Sequence, residues 1–311
     1  MDNEVLVLFT MDVELPTSGD GLTSGPASLA EGARRTREYY DVLRAAGYTP
    51  TYFIHPELGE TQAGLFGELR AAGACLGLHV HAVKFRPVPS PCELGGLAAA
   101  AQTAVLTAAA AMFERHFSER PTLFRPGCFS ANDETYGVLH RLGFVGGSVS
   151  IPGRVWPARH CVWAGAEPHP HYAHAAFRQL PGDLPFVEIP LSVDRVGGLR
   201  RHALGFDYYP DLRPGGVYTA AEDSGRDHAA MLAHLAEQLA TERPLLRTIV
   251  VDVHNDREFA DPRSDAGRQL REVLDGLVPA LARVGLRPVG ATFAEAVRRY
   301  REVAAYRSGR P

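Results

Sequence analysis

Val5-Leu6-Val7-Leu8-Phe9-Thr10-Met11-Asp12-Val13-Glu14, close to the N-terminus, decides how the rest of the chain is read. Its unbroken apolar, β-branched start predicts a strand over Val5–Thr10 that is covered on both faces. Strands of that kind belong to parallel sheets sandwiched by helices. The run then turns polar at alternate positions, so Asp12 and Glu14 share one face at the strand's C-terminal end.

The same unit recurs downstream. Helical periodicity covers Leu29–Ala46, stopped by Gly47, and is followed by a short strand at Thr51–Ile54. A helix at Leu65–Ala72 leads into a strand at Cys75–His81, and an alanine-rich helix at Leu97–Phe117 into one at Thr122–Arg125. Beyond these come a helix at Glu134–Leu142, strands at Phe144–Ser150 and Phe186–Leu191, and a helix at His228–Leu239. The pattern ends with a strand at Thr248–His254, a helix at Ala266–Val284, a last strand near Pro288–Gly290 and a helix at Phe293–Tyr306. Repeated β-α units without a break in composition predict one α/β domain over residues 1–311. Seven to eight units favour a closed or nearly closed barrel over an open sheet. Leu15–Ser28 and the insert at about 152–185 interrupt the rhythm, and both are expected to be long loops over the C-terminal mouth.

Composition narrows the partners. The chain has 311 residues, is 45% hydrophobic and 22% charged, and carries a net charge of -4, which leaves no basic footprint for nucleic acid or an anionic membrane. Lys84 is the only lysine among 32 basic residues, a bias that reads as codon usage. Cys75, Cys92, Cys128 and Cys161 form no C-x-x-C pair and are too few for a disulfide scaffold, so a reducing compartment is expected. The start Met1-Asp2-Asn3-Glu4 lacks the basic, extended apolar character of a signal peptide. Gly95–Phe113 is uncharged but mostly alanine, which suits a helix packed on a sheet better than a membrane span. These features together predict a cytoplasmic protein.

The strand ends hold the chemistry. Besides Asp12 and Glu14, His79 and His81 end the third strand, Arg125 the fourth, and Asp252 and His254 the strand near residue 250. In a parallel barrel such ends meet at one mouth, where carboxylates and imidazoles suit a divalent metal such as zinc. Each element alone has an ordinary explanation: a carboxylate at a strand end commonly caps a helix, and an isolated arginine commonly forms a structural ion pair.

Taken in order, these motifs resemble the polysaccharide deacetylases of the NodB-homology type, over about Val5 to Tyr300. The similarity rests on Phe9-Thr10-Met11-Asp12-Val13-Glu14, Gly77-Leu78-His79-Val80-His81, Phe124-Arg125-Pro126-Gly127 and Val250-Val251-Asp252-Val253-His254. It is supported by Ala46-Gly47-Tyr48-Thr49-Pro50-Thr51-Tyr52-Phe53 and by Gly285-Leu286-Arg287-Pro288-Val289 with Thr292-Phe293. The resemblance implies a distorted (β/α) barrel that removes acyl groups from amides, mostly N-acetyl sugars, with a divalent metal. Two departures stand out. The family's adjacent aspartates are replaced here by Asp12-Val13-Glu14, and its second histidine, four residues after the first, would fall on Val83. Glu14 and His81 can substitute, because residues two apart share a strand face.

On this footing Glu14, His79 and His81 are expected to hold a zinc-like ion. Asp12 is expected to act as general base, positioned by Arg125, and His254 as general acid, with Asp252 or Asp194 as its partner. Asp252 reads equally well as a simple ion-pair residue. His160, His169, His171 and His174 in the insert are expected to lie on an exposed loop rather than to bind metal. Trp156 and Trp163 with Tyr172, and Tyr208 with Tyr209, could stack on a sugar or anchor the loop. The function expected is hydrolysis of an acyl amide, an N-acetyl group above all, on an amino sugar or sugar-containing small metabolite. Alternatives are a metal-independent cyclic-amide hydrolase of the same fold and a non-catalytic carbohydrate-binding barrel.

Overall fold

The computed structural model of the protein describes residues 3–17, 25–216 and 227–308; part of the expected Leu15–Ser28 loop lies outside the described residues. The opening run becomes β1 (Glu4–Val13), buried from Val5 onward, as its two-sided apolar character requires. Helix α1 (Leu29–Ala45) starts where the Ser28 hydroxyl accepts the Glu31 N–H, and the chain leaves it at Gly47, whose φ of +83° suits glycine. Then follow β2 (Thr51–Ile54), α2 (Gly59–Ala71), β3 (Cys75–Val80), α3 (Ala99–Phe117), β4 (Leu123–Pro126), α4 (Thr135–Arg141) and β5 (Gly146–Gly147). The alanine-rich α3 buries Val105, Leu106, Ala109, Ala110 and Phe113, the packed helix expected of it. Among the described residues no helix is long and apolar enough to cross a membrane.

The insert is not a structureless loop. It forms β6 (Val155–Trp156), β7 (Cys161–Val162) and β8 (His171–Tyr172), and after β9 (Val187–Glu188) come β10 (Arg200–Arg201) and β11 (Asp207–Tyr208). Strands β10, β11, β6 and β7 make a small antiparallel sheet of their own. The tryptophans explain why it holds together. Trp156 stacks on Phe206 with ring centroids 4.6 Å apart, and Trp163 is fully buried, its indole N–H donating to the Phe129 carbonyl at 2.7 Å. Their work is anchoring. The chain closes with α5 (His228–Glu242), β12 (Thr248–His254), α6 (Asp265–Ala282), β13 (Arg287–Gly290) and α7 (Phe293–Ser308).

The main sheet runs β12-β1-β2-β3-β4-β5-β9-β8. All its pairings are parallel except β8 on β9. Strand β1 is its axis: β12 pairs with Leu6–Asp12 along one edge, while β13 and β2 divide the other, taking Glu4–Val7 and Thr10–Val13. Among the described residues β8 and β12 do not pair, so the sheet curls as a half-barrel, the open form of the distorted (β/α) barrel that was expected. Beyond β4, glycine-rich and two-residue strands replace the long apolar runs, which shortens the ladder before it can return to β12. The parallel register nevertheless brings the ends of β1, β2, β3, β4 and β12 to one mouth.

Candidate metal centre and its surroundings

Glu14 lies just past β1 and is fully buried. Its Oε1 is 3.2 Å from His79 Nε2 and 2.7 Å from His81 Nε2, and its Oε2 accepts from Lys84 Nζ at 3.0 Å. Asn255, next after β12, ties the segment down: its Oδ1 accepts the Glu14 N–H at 3.0 Å, and its Nδ2 donates to the Glu14 carbonyl at 3.2 Å. Burial opposes the charge on Glu14, yet His81, Lys84 and the hydrogen bonds from the two histidines hold its carboxyl well below the usual carboxylate range.

The other nitrogens of the two imidazoles are committed elsewhere. His79 Nδ1 donates to the Arg125 carbonyl at 3.0 Å, so this nitrogen carries a proton, because a carbonyl only accepts. His81 Nδ1 meets Glu93 Oε1 at 2.7 Å, while Glu93 Oε2 accepts the Ala82 N–H at 3.1 Å. Burial disfavours a proton on His81, but the flanking Glu14 and Glu93 carboxylates outweigh it and raise its pKa well above the ordinary histidine value. Gly127 is required here: a Cβ at that position would fall 2.3 Å from the His81 ring.

This donor set fits a divalent cation. One glutamate oxygen and two imidazole Nε2 atoms lie within 4.8 Å of one another. On a tetrahedral ion with bonds of about 2.0–2.1 Å, ligand atoms sit roughly 3.3 Å apart. Both Nδ1 atoms are held by a carbonyl and a carboxylate, the outer arrangement that orients metal-binding histidines. His81 belongs to a second such group with Glu93 and Cys128, but its Nδ1 is already engaged by Glu93.

A second cluster adjoins the first. Arg125 is fully buried, and its Nη1 reaches Thr10 Oγ1 at 2.9 Å, Asp12 Oδ1 at 2.8 Å and Asp252 Oδ1 at 2.6 Å. Its guanidinium carbon lies 4.3 Å from the Phe53 ring centroid. Asp12 Oδ2 is 4.0 Å from His79 Nδ1, so the two clusters touch. Asp252 also faces Arg213 Nη2 at 3.2 Å, which makes it an ion-pair residue. Asp194 pairs with His234 at 2.9 Å and with the Gly197 N–H, so it is spoken for away from His254. His254 stands opposite Asp12 in the β1–β12 register, and its Nδ1 has no hydrogen-bond partner. Burial, then Arg213, pushes its pKa down to about 3, so its imidazole is neutral at pH 7.

The insert histidines are not brought together as a metal group. His171 is buried rather than exposed, its Nδ1 donating to the His169 carbonyl at 2.7 Å. His169 contacts Glu242, and His174 accepts the backbone N–H of Ala176 at 3.0 Å. Four residues around the site escaped the sequence reading. Asn255 was signalled by its place after His254, and His55 by its place at the end of β2, where it is fully buried with neither ring nitrogen bonded. Lys84 was signalled by being the sole lysine. Glu93 lies in an irregular segment between β3 and α3 and has no such signal. A surface cavity of about 600 Å³ lies far from this chemistry, at the N-terminal end of β1, lined by Glu4, Leu6, Arg247 and Tyr306 among others.

No family model and no curated protein matches the chain. Solved structures do. A protein from Mycobacterium smegmatis, provisionally named a polysaccharide deacetylase, superposes with a TM-score of 0.59 at 17% identity, over 97% of this chain and 92% of that one. A family 4 carbohydrate esterase from Streptomyces lividans, solved with acetate, gives 0.43 at 12% identity over 91% of each chain. The peptidoglycan deacetylase PdaC from Bacillus subtilis gives 0.44 at 13% identity over 99% of this chain and 98% of that one. The first shares this chain's fold, a curled α/β half-barrel; the other two superpose too loosely to carry an argument.

Proposed function

We propose that the protein is a metal-dependent amide hydrolase that removes an acyl group, in the first instance N-acetyl, from an amino sugar or a sugar-containing small metabolite. The observation that carries this reading is the convergence of His79 Nε2 and His81 Nε2 on one oxygen of Glu14, with both opposite nitrogens already committed. Glu14, His79 and His81 would hold the ion, most suitably zinc, which when bound lowers the pKa of water and polarises a carbonyl.

The remaining roles fall to neighbouring side chains. Asp12 accepts the proton of the attacking water at its free carboxylate oxygen, while Arg125 holds the other oxygen and fixes the carboxylate's direction. His254 starts neutral, with Nδ1 open, so it takes that proton on from Asp12, its register partner across β1 and β12, and delivers it to the leaving amine, which departs poorly as an anion. This refines the expectation of a resident general acid. Water adds to the amide carbon, the C–N bond breaks, and a carboxylate and an amine result.

The test is a panel of N-acetylated amino sugars scored for free amine. Purified protein stripped with chelator should lose activity and regain it with zinc. An unchanged rate after stripping would instead favour the metal-independent cyclic-amide hydrolase.

A further inference from the structure

This chain uses arginine wherever it needs a cation, with one exception. Of its 32 Lys and Arg residues only Lys84 is lysine, and that residue sits on Glu14. A tight turn brings it there: the N–H groups of Lys84 and Phe85 both donate to the His81 carbonyl, at 3.0 and 3.1 Å. The turn leaves Val83 38% exposed and folds the Lys84 side chain inward, 15% exposed, against a fully buried carboxylate. The two oxygens of Glu14 are thereby divided. Oε1 faces the two imidazoles and Oε2 faces the ammonium.

We propose that Lys84 is a positioning residue that commits Glu14 to binding the metal through one oxygen; the inference rests on the metal reading given above. An ammonium is a compact point donor and can occupy Oε2 alone. A guanidinium presents a planar fork that matches both carboxylate oxygens at once. In this place arginine would engage both oxygens and draw Oε1 away from His79 and His81. That difference accounts for a lysine at the one position where the chain departs from its arginine usage. With no cation, Oε2 would be free to bind the metal as well, closing a position that water or substrate needs.

Cobalt(II), a spectroscopic stand-in for zinc, tests this without substrate. The unaltered chain, Lys84→Arg and Lys84→Met are titrated with Co2+, following visible absorption and competition with a chelator. Folding is checked by circular dichroism melts. Lys84→Arg should bind cobalt at least roughly tenfold more weakly, the scale of lost outer-shell partners. Lys84→Met should bind it with a weaker visible band, because a higher coordination number lowers the absorption. Equal affinities and spectra in all three proteins would overturn the proposal while leaving the metal reading intact. No cobalt binding by the unaltered chain would refute the metal reading, and this inference with it.

Discussion

Glu188 offers a test of the structure that needs no substrate. It sits in β9, fully buried, and its carboxylate accepts the N–H of Val149 at 3.0 Å, the N–H of Ser150 at 2.9 Å and the Ser150 hydroxyl at 2.8 Å. Burial dominates these hydrogen bonds and raises its pKa from 4.5 to about 7. In the unfolded chain the group titrates near its ordinary value, so between those two values the folded state binds more protons. Stability from this residue is therefore fully present below about pH 4.5 and is lost as pH rises through about 7. A shift of that size corresponds to about 3 kcal/mol between pH 4.5 and pH 8, with a slope of at most about 1.4 kcal/mol per pH unit. For a chain of this length that is on the order of 5 °C in Tm. The perturbation is Glu188→Gln, which removes the titration but keeps the shape. Urea unfolding is measured at half-unit steps from about pH 4.5 to pH 8 for both proteins. The introduced amide places an NH2 among backbone and hydroxyl donors, so the variant is less stable throughout; the informative quantity is the difference in slope. Other titrating groups act equally in both proteins and cancel. The stability difference between the two proteins should shrink by about 3 kcal/mol from low to high pH. Parallel curves would show that Glu188 is ionised in the folded state at all these pH values, and would refute the account of its burial.

The remaining predictions concern the mouth of the sheet. Asp12→Asn should keep metal binding but lose about 10²–10⁴ in turnover, measured by amine release, as expected for removal of a general base; undiminished turnover would take Asp12 out of the mechanism. Arg125→Met leaves Asp12 buried without its cation and Asp252 with Arg213 alone, and should cost about 3–5 kcal/mol in denaturant unfolding. Glu93→Gln removes the carboxylate behind His81 and should weaken zinc affinity about 10–100-fold by competition titration, with the far-ultraviolet spectrum unchanged.

Much of this architecture was legible because a buried parallel strand has a sequence signature. β1 and β12 are long, apolar throughout and polar only at their ends, and there the reading located Asp12, Glu14, Asp252 and His254. The expected helices were also found, with ends shifted by a few residues, since capping residues such as Ser28 and Ser264 mark where they start. Closure of the sheet was not legible. It depends on whether the last strand meets the first, and β5 and β9 keep only two paired residues each from longer apolar runs. The insert misled for a related reason: β6 and β7 are too short to show alternation, and what joins them is packing by Trp156 and Trp163. Within the site, Asp12, Glu14, His79, His81, Arg125 and His254 at strand ends were found, while His55 and Asn255, one residue past β2 and β12, were passed over. Those arriving from turns, Lys84 and Glu93, were not found, because no periodicity points from a turn into a neighbouring strand's carboxylate.

X-ray absorption at the zinc edge, on protein reconstituted with one equivalent of zinc, tests the central claim most directly. The account predicts one tightly bound zinc per chain with two imidazole nitrogens at about 2.0–2.1 Å and a carboxylate oxygen in its first shell. It also predicts that His79→Ala abolishes stoichiometric binding. A chain that retains no zinc, or one that holds it with the same shell after His79→Ala, would contradict the account.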